Sequence, residues 1–275
     1  MRTAKTIAKY LLSALLILLA AVNTWGGLTQ GHFKPAREPE LDLNANRVVM
    51  VFGATGSVGD GLLKAAIDDP NVKKIYVVTR HSSDRIALGV ASGKVEEILQ
   101  EDFTNYDNLA GILPKVNTVL WGLGTSSLQV DDQMYSRIHV DFPIAFVTAW
   151  RAARSAGPMS FHYVTGMGTD PNGKAHWARE KGRAEIELAA LAAGSELRTF
   201  SYRVAYIRPT SEHATTLDYI AEALLHPGSL AISARDLGTA MLEISARTHE
   251  LSNGTLIDTA DSIAYADAYQ LRQNG

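Results

Sequence analysis

The stretch that most constrains this chain is the passage from an apolar run, Val48–Phe52, through Gly53-Ala54-Thr55-Gly56-Ser57-Val58-Gly59 into an apolar helical segment, Leu62–Ile67. A glycine directly after a strand permits a tight turn, a second permits close approach of another group to the backbone, and a third lets the helix lie against the sheet. Gly53, Gly56 and Gly59 stand at those three places. The helix that follows starts with unpaired N–H groups and a partial positive charge, which suits a pyrophosphate. The junction predicts a dinucleotide cradle formed by Gly53, Thr55, Gly56, Ser57, Val58 and Gly59, set against the plainer reading of a glycine turn with no ligand.

From Arg47 onward short β-branched runs alternate with amphipathic stretches, the pattern of a parallel sheet covered on both faces. After Val48–Phe52 the strands read Lys74–Thr79, Val95–Leu99, Thr118–Trp121, Ser160–Thr165 and Arg198–Ile207. Met134, Ile138, Phe142, Ala145, Phe146 and Ala149 recur at helical spacing, so Asp131–Ala156 is predicted as one long helix, with further helices over His176–Ala193 and Asp236–Ala246. Asp236 reads as an N-cap. The fold class is α/β: a Rossmann-type doubly wound parallel sheet with a small C-terminal substrate lobe and an N-terminal apolar helix.

Where the second strand ends, an NAD site places Asp or Glu for the ribose hydroxyls. Arg80 stands there instead. A guanidinium pairs with a 2′-phosphate, so NADP is preferred over NAD, although Asp84 remains as an acidic alternative. Asp102, after the third strand, reads either as an adenine contact or as a turn residue.

A formal net charge of -3 supplies no cationic excess for phosphate backbones, so nucleic acid is excluded as the main partner. The absence of cysteine excludes disulfides, zinc–thiolate sites and a Cys nucleophile. The scattered histidines contain no HExxH pair, and no metal site is expected. Arg2, Lys5 and Lys9 precede the apolar run Tyr10–Val22. Residues 1–30 read as a membrane anchor or a signal segment, and the uncleaved anchor is preferred because no small-x-small cleavage site is clear. The expected location is membrane-associated, with a secreted, periplasmic or organellar alternative after cleavage. Being apolar on every face, this helix is expected to lie outside the domain. Residues 31–45 read as a linker and 46–275 as the NAD(P)-binding domain.

The glycine triplet, Arg80, Trp121-Gly122-Leu123-Gly124-Thr125-Ser126 and Phe161-His162-Tyr163-Val164-Thr165-Gly166-x-Gly168 together resemble the atypical or extended short-chain dehydrogenases/reductases, in particular the Tat-interacting oxidoreductase-like and NmrA-like group. The resemblance runs from about Arg47 to Pro209. Active members of that family use a Ser or Thr, a Tyr and a Lys, the last two one helical turn apart. The resemblance assigns Lys181 to the lysine, which also holds the nicotinamide ribose, and Thr165 to the hydroxyl. Trp177 occupies the tyrosine position, and an indole does not titrate usefully. Substitutes to weigh are His176, about 100° away around the helix from Trp177, Tyr163, two residues before Thr165 on the strand, and Tyr135. Tyr163 reads first as core or cofactor floor, and His176 first as a solvated residue at the helix start. Tyr206-Ile207-Arg208-Pro209-Thr210 resembles the segment that turns toward substrate, and Asn253-Gly254-Thr255 has the form of a glycosylation acceptor but reads first as a turn.

The resemblance implies an NADP-dependent oxidoreductase acting on a small-molecule carbonyl or alcohol near a membrane, with homo-oligomers by analogy. Trp177 supports a second expectation, a catalytically silent NADP-binding regulator of a membrane partner.

Overall fold

Strands β1 (Val48–Phe52), β2 (Lys74–Thr79), β3 (Val95–Leu99), β4 (Thr118–Trp121), β5 (Met159–Val164), β6 (Leu197–Tyr202) and β9 (Thr255–Ile257) form one seven-stranded sheet in the order β3-β2-β1-β4-β5-β6-β9. All of its pairings are parallel. The computed structural model describes residues 2–154 and 156–274; Met1, Ser155 and Gly275, and the side chains of residues 2–6 and 8, lie outside the described residues. Helices α2 (Ser57–Asp68), α8 (Ala234–Ala246) and α9 (Thr259–Asn274) cover one face. On the other face α5 (Phe142–Ala153) and α6 (His176–Ala192) close over the sheet, Phe146 of α5 packing on Phe52, Trp121 and Phe161. The central strands β1, β2 and β4 are buried on both faces and nearly continuously apolar, as a doubly wound sheet requires.

Several sequence expectations change in detail. The run Arg198–Ile207 is two strands: after β6 the chain leaves the sheet, and β7 (Tyr206–Arg208) pairs instead with β8 (Ala231–Ser233) in a separate small sheet. With α7 (Thr216–Leu225) this forms the C-terminal lobe. Ser233, not Asp236, caps α8, its hydroxyl accepting from the Asp236 N–H, so Asp236 sits within the first turn. The predicted long helix is α4 (Asp132–Ser136), a π turn over Arg137–Asp141, and α5. Pro143 has no N–H to give the carbonyl of His139 four residues back. Tyr163 Oη donates to that carbonyl instead, at 2.7 Å.

The N-terminal helix α1 (Arg2–Thr29) is exposed over most of its apolar length, but it does not stand clear of the body as expected. Asn23 Nδ2 donates to the Leu224 carbonyl and Asn23 Oδ1 accepts from the Gly228 N–H, while Gly26 lies so close to Gly228 and Leu230 that a side chain there would collide. Beyond it Asp258 accepts from the Gly31 N–H, and Asp261, 0% exposed, accepts from His32 and Phe33. The segment 31–45 is tied again where Arg247 donates to the Ala36 carbonyl and Asp42 N–H to that of Ala246.

Under α8, His162 is 0% exposed and bonded on both nitrogens, to Tyr202 Oη and Ser245 Oγ at 2.7 Å each; Ser160 and Thr118 extend the chain. Burial holds His162 well below the usual imidazole range, with Arg198 acting in the same direction. Only the unfolded chain takes up this proton as pH falls below about 6.5, so the contribution is full above that value and lost below it. We predict that unfolding free energy falls as pH is lowered through about 6.5, the slope for this histidine approaching about 1.4 kcal/mol per pH unit toward pH 5. Chemical denaturation across that range checks it, and a His162→Gln chain that retains the whole slope would contradict it.

Candidate functional site

The strand order reverses between β1 and β4, and the crevice beyond the carboxyl ends of β1, β4 and β5 is where such a sheet takes a ligand. On the β1 side, Gly53 has φ 73, and a β-carbon there would lie 2.5 Å from Leu123 N. Gly59 abuts the Gly53 carbonyl so closely that no side chain fits. Gly56 differs: a β-carbon would meet only Gly53 O, at 3.4 Å, within 4 Å. It is the N-cap of α2, supplies no side-chain cap, and is exposed together with Thr55 and Ser57, while Val58 is half-buried. The first N–H groups of α2 are thus left for an outside acceptor. These features fit the pyrophosphate of a dinucleotide.

Arg80 and Asp102 reach one cavity of about 760 Å³, shared with Phe103, Thr125, Arg137 and Phe142. Asp102 is turned back on its own loop, accepting from Thr104 N at 2.9 Å and Oγ1 at 2.6 Å, and these bonds hold its carboxyl below the usual range. Of its two sequence readings, the turn is what the side chain does.

On the β5 side, Lys181 Nζ donates to the carbonyl of Thr165, one residue beyond the strand. Burial pulls its pKa down to about 8 against the opposing pull of Glu185. Thr165 Oγ1 is buried without a hydrogen-bond partner among the described residues. The fold therefore brings the Lys181 ammonium to the backbone of Thr165. Trp177, half-buried, lies against Gly168, whose β-carbon would be 3.3 Å from the indole.

The substitutes for a tyrosine divide clearly. Tyr163 has its hydroxyl proton engaged on His139 O, and burial drives its pKa well above the ordinary value. His176 Nε2 lies 3.3 Å from Ser136 Oγ and 3.2 Å from Asp132 O, joining α4 to α6. Tyr135 is buried against the ring of His139, centroids 4.2 Å apart, and desolvation raises it to about 12.

Two residues were not anticipated. His139, on the π turn, is 2% exposed and near enough to Lys181 to feel its charge. The i,i+4 pair Tyr135 and His139 was a signal, but the apolar stripe beside it was the stronger one. Asp60, buried behind the cradle, accepts from Arg85 at 2.6 and 3.0 Å and from Thr210 Oγ1 at 2.6 Å, tying the loop after β7 to α2. An acidic residue in a first helical turn reads merely as favourable to the dipole, so nothing flagged it. Asn253 is spent internally, accepting from Thr199 N and Oγ1 and donating to Ala189 O, which leaves a turn with Gly254 at φ 79 and no free amide for a sugar.

No protein-family model matches the chain. It is similar to "Protein FMP52, mitochondrial" of Chaetomium globosum, 26% identical over 121 residues (44% of this chain, 49% of the relative), and of Candida glabrata, 26% over 151 residues (54% and 59%). The matches thus span about half to three fifths of those relatives. A third, "Protein fmp52-1, mitochondrial" of Aspergillus terreus, is 24% identical over 173 residues, covering 63% of this chain and 72% of the relative. Among solved structures, a 3-oxoacyl-[acyl-carrier protein] reductase from Brucella melitensis superposes with a TM-score of 0.60 at 15% identity, covering 79% of this chain and 97% of that one. An NAD complex of a 3-oxoacyl-[acyl-carrier protein] reductase from the same organism gives 0.58 at 15%, covering 83% and 98%. An enoyl-[acyl-carrier-protein] reductase (NADH) from Aquifex aeolicus VF5 gives 0.60 at 12%, covering 81% and 98%.

The chain has a Rossmann-like fold, shared with these reductases. Its curated relatives bear the name FMP52 and not that of the Tat-interacting or NmrA-like group. They are named mitochondrial, which overturns the expected membrane-associated location and its secreted alternative; an apolar helix at the N-terminus fits a targeting sequence.

Proposed function

We propose that the chain is an NADP-dependent oxidoreductase of a carbonyl or alcohol substrate, residues 46–275 forming the cofactor-binding unit. The observation that carries this reading is Lys181 seated on the Thr165 carbonyl, beside the unpartnered Thr165 hydroxyl, on the same sheet edge as the Gly53–Gly59 cradle. The cradle with Thr55, Ser57 and Val58 would hold the pyrophosphate. Arg80 would pair with the 2′-phosphate, with Asp102 shaping the adenine wall through its turn.

A bound nicotinamide supplies or accepts the hydride. Lys181 keeps two donors beyond the one given to Thr165 and would hold the ribose, while Thr165 Oγ1 orients the substrate oxygen. The ammonium also favours negative charge developing on that oxygen. A second reading, a silent cofactor-binding regulator, is supported by Trp177 in the place of a titratable donor.

Calorimetric titration of the full chain with NADPH and NADH, followed by NADPH oxidation with a panel of aldehydes and ketones, separates the readings. Binding with turnover supports the enzyme, and binding without turnover supports the regulator. Absence of binding removes both. In the enzyme, Lys181→Ala is expected to lower turnover roughly thirtyfold with little change in folding; an unchanged rate would remove Lys181 from the site.

A further inference from the structure

His139, on the π turn, packs behind Gly124 and Thr125 of the cavity lining and keeps an unspent lone pair. Its Nε2 lies 3.0 Å from the Thr125 carbonyl, an atom that only accepts, so Nε2 carries the proton and donates to it. The Thr125 N–H also points at Nε2, at 3.3 Å, and the shorter contact to the carbonyl decides between the two tautomers. Nδ1 is then a bare acceptor. It is buried and has no hydrogen-bond partner among the described residues. Burial first, and the Lys181 charge second, push the imidazole down to about 4, so the ring is neutral at physiological pH. Gly124 permits the arrangement: a β-carbon there would lie 2.9 Å from His139 Cε1.

The neighbours do not satisfy this lone pair. Tyr135 offers a ring face and not its hydroxyl, since the two rings lie 4.2 Å apart with 35° between their planes. Tyr163 donates to the backbone carbonyl of His139, not to the ring. Lys181 donates to Thr165 O. A buried acceptor left unmatched costs free energy, so a partner brought by a ligand gains more here than in water. Thr165 Oγ1, also 2% exposed and unpartnered, adds a second group of the same need.

We propose that His139 is a ligand-binding residue of this cleft whose Nδ1 accepts a hydrogen bond from a hydroxyl of the bound molecule. The inference rests on reading the cleft as a nucleotide and substrate site. A hydroxyl of the cofactor ribose and a hydroxyl of an alcohol substrate offer the same chemistry. A ketone or aldehyde group by itself does not, because it has no proton to give.

The test is nitrogen NMR of the full chain labelled in its histidine rings. His139 is assigned by the signals that vanish in His139→Gln, and NADPH and then 2-propanol serve as probes. Without ligand, the expected spectrum shows a protonated Nε2 and an unprotonated, unbonded Nδ1 from pH 5 to 8. A shift of Nδ1 toward the hydrogen-bonded range on adding NADPH identifies the ribose as the source, and a shift only on adding 2-propanol identifies the substrate alcohol. Either supports the proposal. A proton on Nδ1, or no shift with either probe, overturns it. Calorimetry on the same sample keeps the two readings distinct: lack of NADPH binding removes the cofactor reading, and the 2-propanol arm then decides His139 by itself.

Two variants test the same point through affinity. Asn places an acceptor near the position of Nδ1, whereas Gln keeps the donor toward Thr125 and loses Nδ1. His139→Gln is expected to weaken binding of the shifting probe about tenfold, with His139→Asn within about threefold of the parent chain. Equal affinity in all three proteins overturns the proposal.

Discussion

Replacing Gly56 with aspartate is expected to weaken NADPH binding by about a thousandfold or more while leaving the chain as stable as before. Gly56 has φ -92 and ψ 163, an extended conformation open to any residue, and a β-carbon there meets only Gly53 O at 3.4 Å. Aspartate is moreover among the best N-cap residues, so α2 loses nothing and gains a capping acceptor. Binding is where the change acts. A carboxylate about 4 Å from a pyrophosphate charge costs on the order of 4 kcal/mol at an effective dielectric of about 20, and it also takes the N–H groups the phosphate needs. Calorimetry and thermal melting together check this. Unchanged affinity would remove the cradle assignment, whereas a large fall in melting temperature would show that Gly56 serves the fold instead.

The opposite sign is expected at Trp177. Trp177→Tyr places a phenol one helical turn before Lys181, whose ammonium lies buried on the Thr165 carbonyl. A positioned acid of this kind contributes about 10²–10⁴ to a proton-transfer step, and a neighbouring ammonium lowers a phenol pKa. NADPH-dependent carbonyl reduction is expected to rise about a hundredfold, with NADPH affinity within about threefold of the parent. A new pH limit on the rate should accompany the gain. NADPH binding without any gain would mean that the cleft is not shaped for carbonyl reduction, and the regulatory reading would then stand.

The alternating strands and the glycine turn were legible because they rest on local rules: β-branched runs for buried strands, and glycine where a Cβ collides. The end of the long helix and the division of Arg198–Ile207 were not, because both depend on contacts far away in the chain. Pro143 was visible, but its consequence, a freed carbonyl taken by Tyr163, required knowing that β5 passes beside it. Lys181 and Thr165 were assigned by resemblance to a family pattern, and the fold sets the Lys181 ammonium on the Thr165 carbonyl. His139 escaped because a histidine beside an apolar stripe looks like core until its two nitrogens are followed separately. The docking of α1 escaped for a related reason. An apolar helix gives no sign of where its polar end will land, and Asn23 shows its purpose only when Leu224 and Gly228 are beside it.

That docking sets an order of events during synthesis. The groups that receive residues 23–33 come from Leu224, Gly228, Asp258 and Asp261, more than two hundred positions later in the chain. At roughly 5–20 residues per second, the ribosome needs about 10–40 s to reach them after the first helix has emerged. For that interval residues 23–33 have no place to settle. Their seat is completed only as α9 appears, so a chain released before it would carry a folded β1–α2 turn and an unattached α1.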